Sequence, residues 1–195
     1  MAELRSSAGD RVSKFFECFP RLKPVWRPVT ESSQYVELLD ARVVLRGKVD
    51  LTLGTATASE AGNHAGKVVI DTTNPIADEP PEDGIVRYFT GPNDSLMERL
   101  QKAAPEARFV KAWNSVGNHL MINPKLPGGR PTMFICGNDA TAKAQVSALL
   151  DGFGWDVEDV GTVKGARAIE PLCQLWCAPG FLRNDWVHAY KVLKP

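Results

Sequence analysis

The chain has 195 residues, 44% apolar and 24% charged, which suits one soluble globular domain with a sizeable core. Its 23 basic and 23 acidic residues cancel, so charge gives no support for a nucleic-acid partner. No apolar run reaches the ~20 residues that span a bilayer, and the charged start Met1-Ala2-Glu3-Leu4-Arg5 is unlike a secretory signal. The expected compartment is therefore the cytoplasm, with no membrane part.

Residues 1–65 show little periodicity. Arg, Pro, Ser and Glu alternate with lone apolar residues, as in Phe19-Pro20-Arg21-Leu22-Lys23-Pro24-Val25-Trp26-Arg27-Pro28, and only residues 41–45 and 49–53 read as strands. From Gly66 the pattern is regular. Residues 68–71 predict a buried strand, followed by a Pro-rich loop to Pro92 with Pro80-Pro81 and Asp83-Gly84 as turn signals. Asn93, Asp94 or Ser95 can cap a helix, and Ser95 with Glu98 has capping-box spacing. Leu96, Leu100 and Ala103 recur at helical intervals until Pro105, and residues 109–113 give the next strand.

After a turn region at 124–131, residues 132–136 form a third strand. Asp139 starts a helix with Ala142, Val146, Leu149, Leu150 and Phe153 on one face, stopped by Gly152 and Gly154. Residues 155–160 return as a strand. This alternation predicts an α/β fold, a mostly parallel sheet with covering helices. Ile169, Leu172, Cys173 and Trp176 mark a helix bent at Pro171, and Asn184 or Asp185 would cap another carrying Val187, Tyr190 and Leu193. Such a C-terminal helical pair would pack on the sheet edge or on a partner subunit. If residues 1–65 supply no strand, the strand beginning at Lys67 becomes an exposed edge that invites oligomerisation.

Two strand ends carry polar residues suited to a ligand. Thr72-Thr73-Asn74-Pro75 and Asn114-Ser115 would lie on one rim of the sheet, and asparagine offers both donors and an acceptor to a carboxamide or a ribose hydroxyl. A local Asx turn would account for Asn74 alone. Gly117 would allow close backbone approach or serve a turn, and His119 reads as structural. Cys18, Cys136, Cys173 and Cys177 contain no C-x-x-C pair, and His64, His119 and His188 are scattered, so the thiols read as ordinary buried cysteines and no metal site is expected. Hydrolytic motifs of the G-x-S-x-G and H-E-x-x-H kinds are absent, and Glu170 and Asp185 stand isolated. Hydride transfer between bound cofactors asks less of the protein, which mainly orients them.

Four motifs occur in order: Asp71-Thr72-Thr73-Asn74-Pro75, Val110-Lys111-Ala112-Trp113-Asn114-Ser115-Val116, Phe134-Ile135-Cys136-Gly137-Asn138-Asp139, and Ala166-Arg167-Ala168-Ile169-Glu170-Pro171-Leu172. With them the chain resembles the predicted dinucleotide-binding reductases related to deazaflavin-dependent NADP oxidoreductases, and is similar to the cytosolic domains of six-transmembrane metalloreductases. The resemblance covers about residues 66–195. It implies a Rossmann-like fold, NADP or NAD as the nicotinamide nucleotide, and hydride transfer to a deazaflavin, a flavin or a small-molecule acceptor. It implies that Thr73, Asn74, Pro75, Asn114, Ser115 and Val116 lie against the cofactor near its nicotinamide, and that the 138–139 turn and the 166–172 helix are structural, with a homodimer contact open to the latter. No catalytic residue is implied.

One departure is large. The family opens with a strand, a G-x-G-x-x-G-like turn and a Ser-Arg pair for the 2′-phosphate, and neither Ser6-Ser7-Ala8-Gly9-Asp10 nor Leu45-Arg46-Gly47-Lys48 has that form. Residues 1–65 thus have the length of the usual phosphate-binding half without its residues, as divergence, gene fusion or a shifted reading frame would leave them. The alternative function is a non-catalytic remnant or interaction module that keeps the sheet.

Overall fold

A computed structural model describes residues 65–195 and three short strand segments, residues 24–25, 36–38 and 43–46. The strands are β1 (Pro24–Val25), β2 (Val36–Leu38), β3 (Val43–Arg46), β4 (Val68–Asp71), β5 (Arg108–Lys111), β6 (Thr132–Ile135) and β7 (Asp156–Asp159). The helices are α1 (Leu96–Ala103), α2 (Ala140–Gly152), α3 (Ala166–Ile169) and α4 (Pro171–Arg183), with 3₁₀ turns at Asn118–Leu120 and Val163–Gly165. The expected strand at 41–45 is met by β3, whereas residues 49–53 lie outside the described residues.

β4 is apolar at three of its four positions and is buried throughout, as a central parallel strand requires. It pairs in parallel with β3 on one side and β5 on the other, with Val69 opposite Phe109 and Asp71 opposite Lys111. β4 is therefore covered on both sides, not the exposed edge considered from sequence. β1 and β2 extend the sheet antiparallel. β6 and β7 form a second parallel pair, joined to β5 by an isolated bridge in which the Lys111 N–H donates to the Cys136 carbonyl at 3.0 Å.

Alternation along β4 and β5 divides the core. Val68, Ile70, Val110 and Ala112 face Ala142, Val146 and Leu150 of α2, together with Phe153 and Trp155. Val69 and Phe109 face Leu96, Met97 and Leu100 of α1, together with Ala166 and Ile169 of α3. Stepping two residues on from Val69 and from Phe109 puts Asp71 and Lys111 on this second face, between the sheet and the α1–α3 layer.

Ser95 caps α1 as its spacing predicted: its Oγ accepts from the Glu98 N–H at 3.2 Å and donates to Glu98 Oε2 at 2.7 Å. Asp139 caps α2 by accepting from the Ala142 N–H at 2.7 Å. Arg167 of α3 holds the Glu98 carboxylate with two N–H groups at 2.8 and 2.7 Å. Those bonds, chiefly, keep the Glu98 carboxyl below its usual range. A carboxylate with a depressed folded pKa stabilises fully above its unfolded pKa, and that contribution fades as pH falls through the folded value. Replacing Arg167 by alanine should thus lower the melting temperature slightly at neutral pH. The difference from wild type should shrink in thermal melts as pH falls below the unfolded glutamate value of ~4.3.

The Pro-rich loop is a folded-back ribbon. Ile76 bridges Tyr88, the Ala77 N–H donates to the Arg87 carbonyl at 2.8 Å, and Glu82 and Ile85 bond reciprocally around Asp83 (φ 50°) and Gly84 (φ 80°). Positive φ at both central residues is what an Asp-Gly hairpin turn supplies. The C-terminal helices are α3 and α4, separated at Glu170, and the expected helix beyond Asn184 does not form. Asn184 ends α4 in the left-handed conformation (φ 57°), and residues 184–195 then run without helix or strand. Trp186 lies against Gly180, where a Cβ would be 2.3 Å from the indole, and the Tyr190 carbonyl accepts from the Thr132 N–H at 2.7 Å. The tail spends its backbone on β6, and Val187 and Leu193 stay exposed instead of forming a helix face.

Candidate functional site

The carboxyl ends of β4 and β5 carry a buried charge cluster that the sequence did not announce. Lys111 is fully buried, with Nζ 2.7 Å from Asp71 Oδ2 and 3.0 Å from Glu170 Oε1. Nζ also donates to the Thr73 carbonyl at 2.8 Å, so the ammonium has one hydrogen bond and two ion-pair partners. Burial opposes the Lys111 charge, yet Asp71 and then Glu170 outweigh it and hold its pKa above the ordinary lysine value.

Glu170 has a second role. Its Oε2 and Oε1 accept from the Leu96 and Met97 N–H groups, each at 3.0 Å, so a side chain from the α3–α4 junction caps α1. Asp71 Oδ1 accepts from the Thr73 N–H at 2.9 Å and the Thr73 hydroxyl at 2.6 Å. Oδ2 makes no aligned hydrogen bond, so its compensation is the ion pair with Lys111. Glu170, isolated in the sequence, is thus tied to β5 through Lys111 and to helix α1.

Just beyond this cluster Asn74 and Asn114 meet. Asn74 Nδ2 donates to the Asn114 carbonyl at 2.7 Å, and Asn114 Nδ2 donates to Asn74 Oδ1 and to the Ile169 carbonyl, both at 3.0 Å. Carbonyls only accept, so the two backbone oxygens fix which way each amide points. Asn114 Oδ1 is left buried with no hydrogen-bond partner among the described residues. The Asn74 side chain reaches across to the second strand, which excludes a purely local Asx turn. Between the strand end and Asn114 stands Trp113 at φ 55°, a conformation costly for a bulky residue. That turn ends β5 at Lys111, two residues before the predicted end, and the strand-to-turn reversal brings Asn114 back toward β4.

The other expected site residues surround this pair in sequence. Thr73 is held by Asp71 and Lys111 and is buried, and the Pro75 carbonyl accepts from the Phe89 N–H at 2.9 Å. Ser115 is buried, and Val116 joins the α2-side core with Leu120. Gly117 answers a packing need: a Cβ there would be 2.7 Å from His119 and 3.1 Å from Trp176. Among the described residues no three His, Cys, Asp or Glu side chains converge as a metal site requires, and no helix is long and apolar enough to cross a membrane. One sequence signal could have found the charge cluster: Lys111 interrupts the otherwise apolar run from Phe109 to Trp113, and a lysine in a buried strand needs an anion.

No family model matches the chain. Over 118 residues, 60% of its length, it is 27% identical to metalloreductase STEAP3 of Rattus norvegicus, of which the match covers 22%. Among solved structures, a candidate F420-dependent NADP reductase from Arthrobacter sp. FB24 is similar with a TM-score of 0.64 at 33% identity, covering 74% of this chain and 64% of that one. A hypothetical protein from Sinorhizobium meliloti, 23% identical with a TM-score of 0.52, shares the fold over 80% of this chain and 69% of its own. The chain thus spans about a fifth of the metalloreductase and just under two thirds of the Arthrobacter protein. The first two relatives are reductases, in agreement with the resemblance carried by the four motifs, and the parallel strand pairs with covering helices are Rossmann-like.

Proposed function

We propose that this chain, a relative of NADP-binding reductases, is an oxidoreductase that takes the nicotinamide end of NADP at the ends of β4 and β5, with NAD as the alternative nucleotide. The observation that carries this reading is Asn114 Oδ1, a buried acceptor with no partner among the described residues, beside two amides of fixed orientation. A carboxamide fits that donor set: its N–H₂ can satisfy Asn114 Oδ1, and its carbonyl can take the remaining N–H of Asn74. Thr73, Pro75, Ser115 and Val116 would hold the adjoining chain against it. When bound, the nicotinamide supplies or accepts the hydride, and the protein's share is to orient it and keep water away. The acceptor in this reading is a deazaflavin, a flavin or a small molecule, and the setting a cytoplasmic protein able to form a homodimer.

Residues 66–195 serve in this reading as the reductase-type domain, and residues 1–65 as an atypical segment in place of the phosphate-binding half. β3 lies beside β4, where a doubly wound sheet puts the first strand of its nucleotide-binding half. A second reading, a non-catalytic module that has lost cofactor binding, is favoured by the lack of a G-x-G-x-x-G sequence in residues 1–65. Titration with NADPH, followed by quenching of tryptophan fluorescence, separates the two. Saturable binding weakened about tenfold by Asn74→Ala is expected, the equivalent of one lost hydrogen bond of ~1.4 kcal/mol. A folded chain that shows no quenching at millimolar NADPH would leave the second reading standing.

A further inference from the structure

Cys173 and Cys177 lie one turn apart on α4 and face each other, with Sγ atoms 3.9 Å apart. Cys173 is buried, whereas Cys177 is partly open to solvent. We propose that this pair is a reversible dithiol–disulfide site for a low-molecular-weight disulfide of the glutathione type, with Cys177 as the entry thiol and Cys173 as the resolving one.

Exposure and charge agree on that order. The neighbouring Cys173 thiol, by hydrogen-bonding to Cys177, lowers the Cys177 pKa, whereas the same bond and then burial push Cys173 up. Cys136 is the contrast: fully buried against Met97 Sδ at 3.6 Å and pushed up to about 12, chiefly by burial. A metal is a poorer occupant, because no third His, Cys, Asp or Glu completes a ligand set among the described residues.

The exchange balances without a further co-reactant. The Cys177 thiolate attacks one sulfur of glutathione disulfide, expelling one glutathione thiolate, which takes a proton. Cys173 then gives up its proton and attacks Cys177 Sγ, expelling the second glutathione. Two protein thiols are oxidised by two electrons to one disulfide, and one glutathione disulfide is reduced to two thiols. The sulfurs must close from 3.9 Å to about 2 Å. The turn between them can yield, because Pro179 has no N–H to donate to the Leu175 carbonyl one turn earlier. The movement would reach the strand ends: the Cys173 N–H donates to the Glu170 carbonyl at 3.0 Å, and Tyr88 Oη donates to the same oxygen at 2.7 Å. Only this effect on the strand-end site rests on the function proposed above.

The full-length reduced chain should be equilibrated in glutathione buffers of graded potential, then alkylated and mapped by peptide mass spectrometry. The expected product is an internal Cys173–Cys177 disulfide, reversed by excess reduced glutathione. Cys173→Ala should stall as a glutathione adduct on Cys177, formed at least about tenfold faster than any adduct on Cys136. Free Cys173 and Cys177 in the folded wild type, under conditions that oxidise the urea-unfolded chain, would overturn the proposal. So would oxidation confined to Cys18 or Cys136. Both measurements are made on thiols, so failure of NADPH binding leaves them readable.

Discussion

Replacing Lys111 by methionine is expected to cost the fold about 3–5 kcal/mol, enough to unfold many domains of this size. The side chain is fully buried and its volume is nearly kept by methionine, so the loss is electrostatic rather than steric. Asp71 and Glu170 would remain buried without their shared cation. Glu170 keeps the Leu96 and Met97 N–H groups, but among the described residues Asp71 Oδ2 keeps no partner, so a buried charge is left uncompensated. The sign of the pH dependence follows. In the wild type, Lys111 has a raised folded pKa, so its contribution is complete below the unfolded value of ~10.4 and is lost only as pH rises through the folded one. The variant lacks that contribution at every pH below the folded value, so its loss of stability should be present from about pH 5 to about pH 8. Urea unfolding across that range checks it. The triple variant Asp71→Asn, Lys111→Met, Glu170→Gln should recover part of the loss, because no unpaired charge remains. A Lys111→Met chain as stable as wild type would mean that the three groups are not buried together.

The cluster also marks where sequence reading stops. Ser95 with Glu98, Asp139 ahead of Ala142, and Asp83-Gly84 are local signals whose partners lie within four residues, so their roles are legible in the sequence. Strands β4, β5 and β6 were legible because burial on both faces demands apolar runs. The two asparagines were legible as neighbours on one rim, since both follow a parallel strand. Their mutual bond, the anchor of Asn114 at Ile169 and the third charge at Glu170 join residues 40 to 74 positions apart, which no spacing rule connects. The C-terminal tail misled for the opposite reason. Val187, Tyr190 and Leu193 recur at a helical interval, but the left-handed turn at Asn184 and the packing of Trp186 on Gly180 override that weak local signal. From its place after a parallel strand, Asn114 reads as a ligand-facing group. The strain beside it at Trp113, which sequence cannot show, is a further mark of a positioned site.

Gly137→Ala is expected to destabilise the chain by about 2–3 kcal/mol, although alanine at an ordinary glycine normally gains about 0.4–1 kcal/mol through the unfolded state. The reason is a backbone clash. A Cβ at residue 137 would lie 2.5 Å from the Phe109 carbonyl oxygen and 3.5 Å from Val110 Cα. Main-chain atoms inside a paired strand cannot swing aside as the end of a side chain can, so β6 must move off β5. The Gly137 N–H also donates to the Gly161 carbonyl at 3.0 Å, which ties the same residue to the segment after β7. Separation would strain the bond from the Lys111 N–H to the Cys136 carbonyl and draw the buried ammonium with it. The β6–β7 amides should lose protection in hydrogen exchange first, with those of β5 following. Gly128→Ala is the matched control, since nothing lies within 4 Å of a Cβ there, and its unfolding midpoint should stay within about 0.5 kcal/mol of wild type. If the two alanine variants unfold alike, the close approach of β6 to β5 is not made, and the ion cluster lacks the support that this junction gives it.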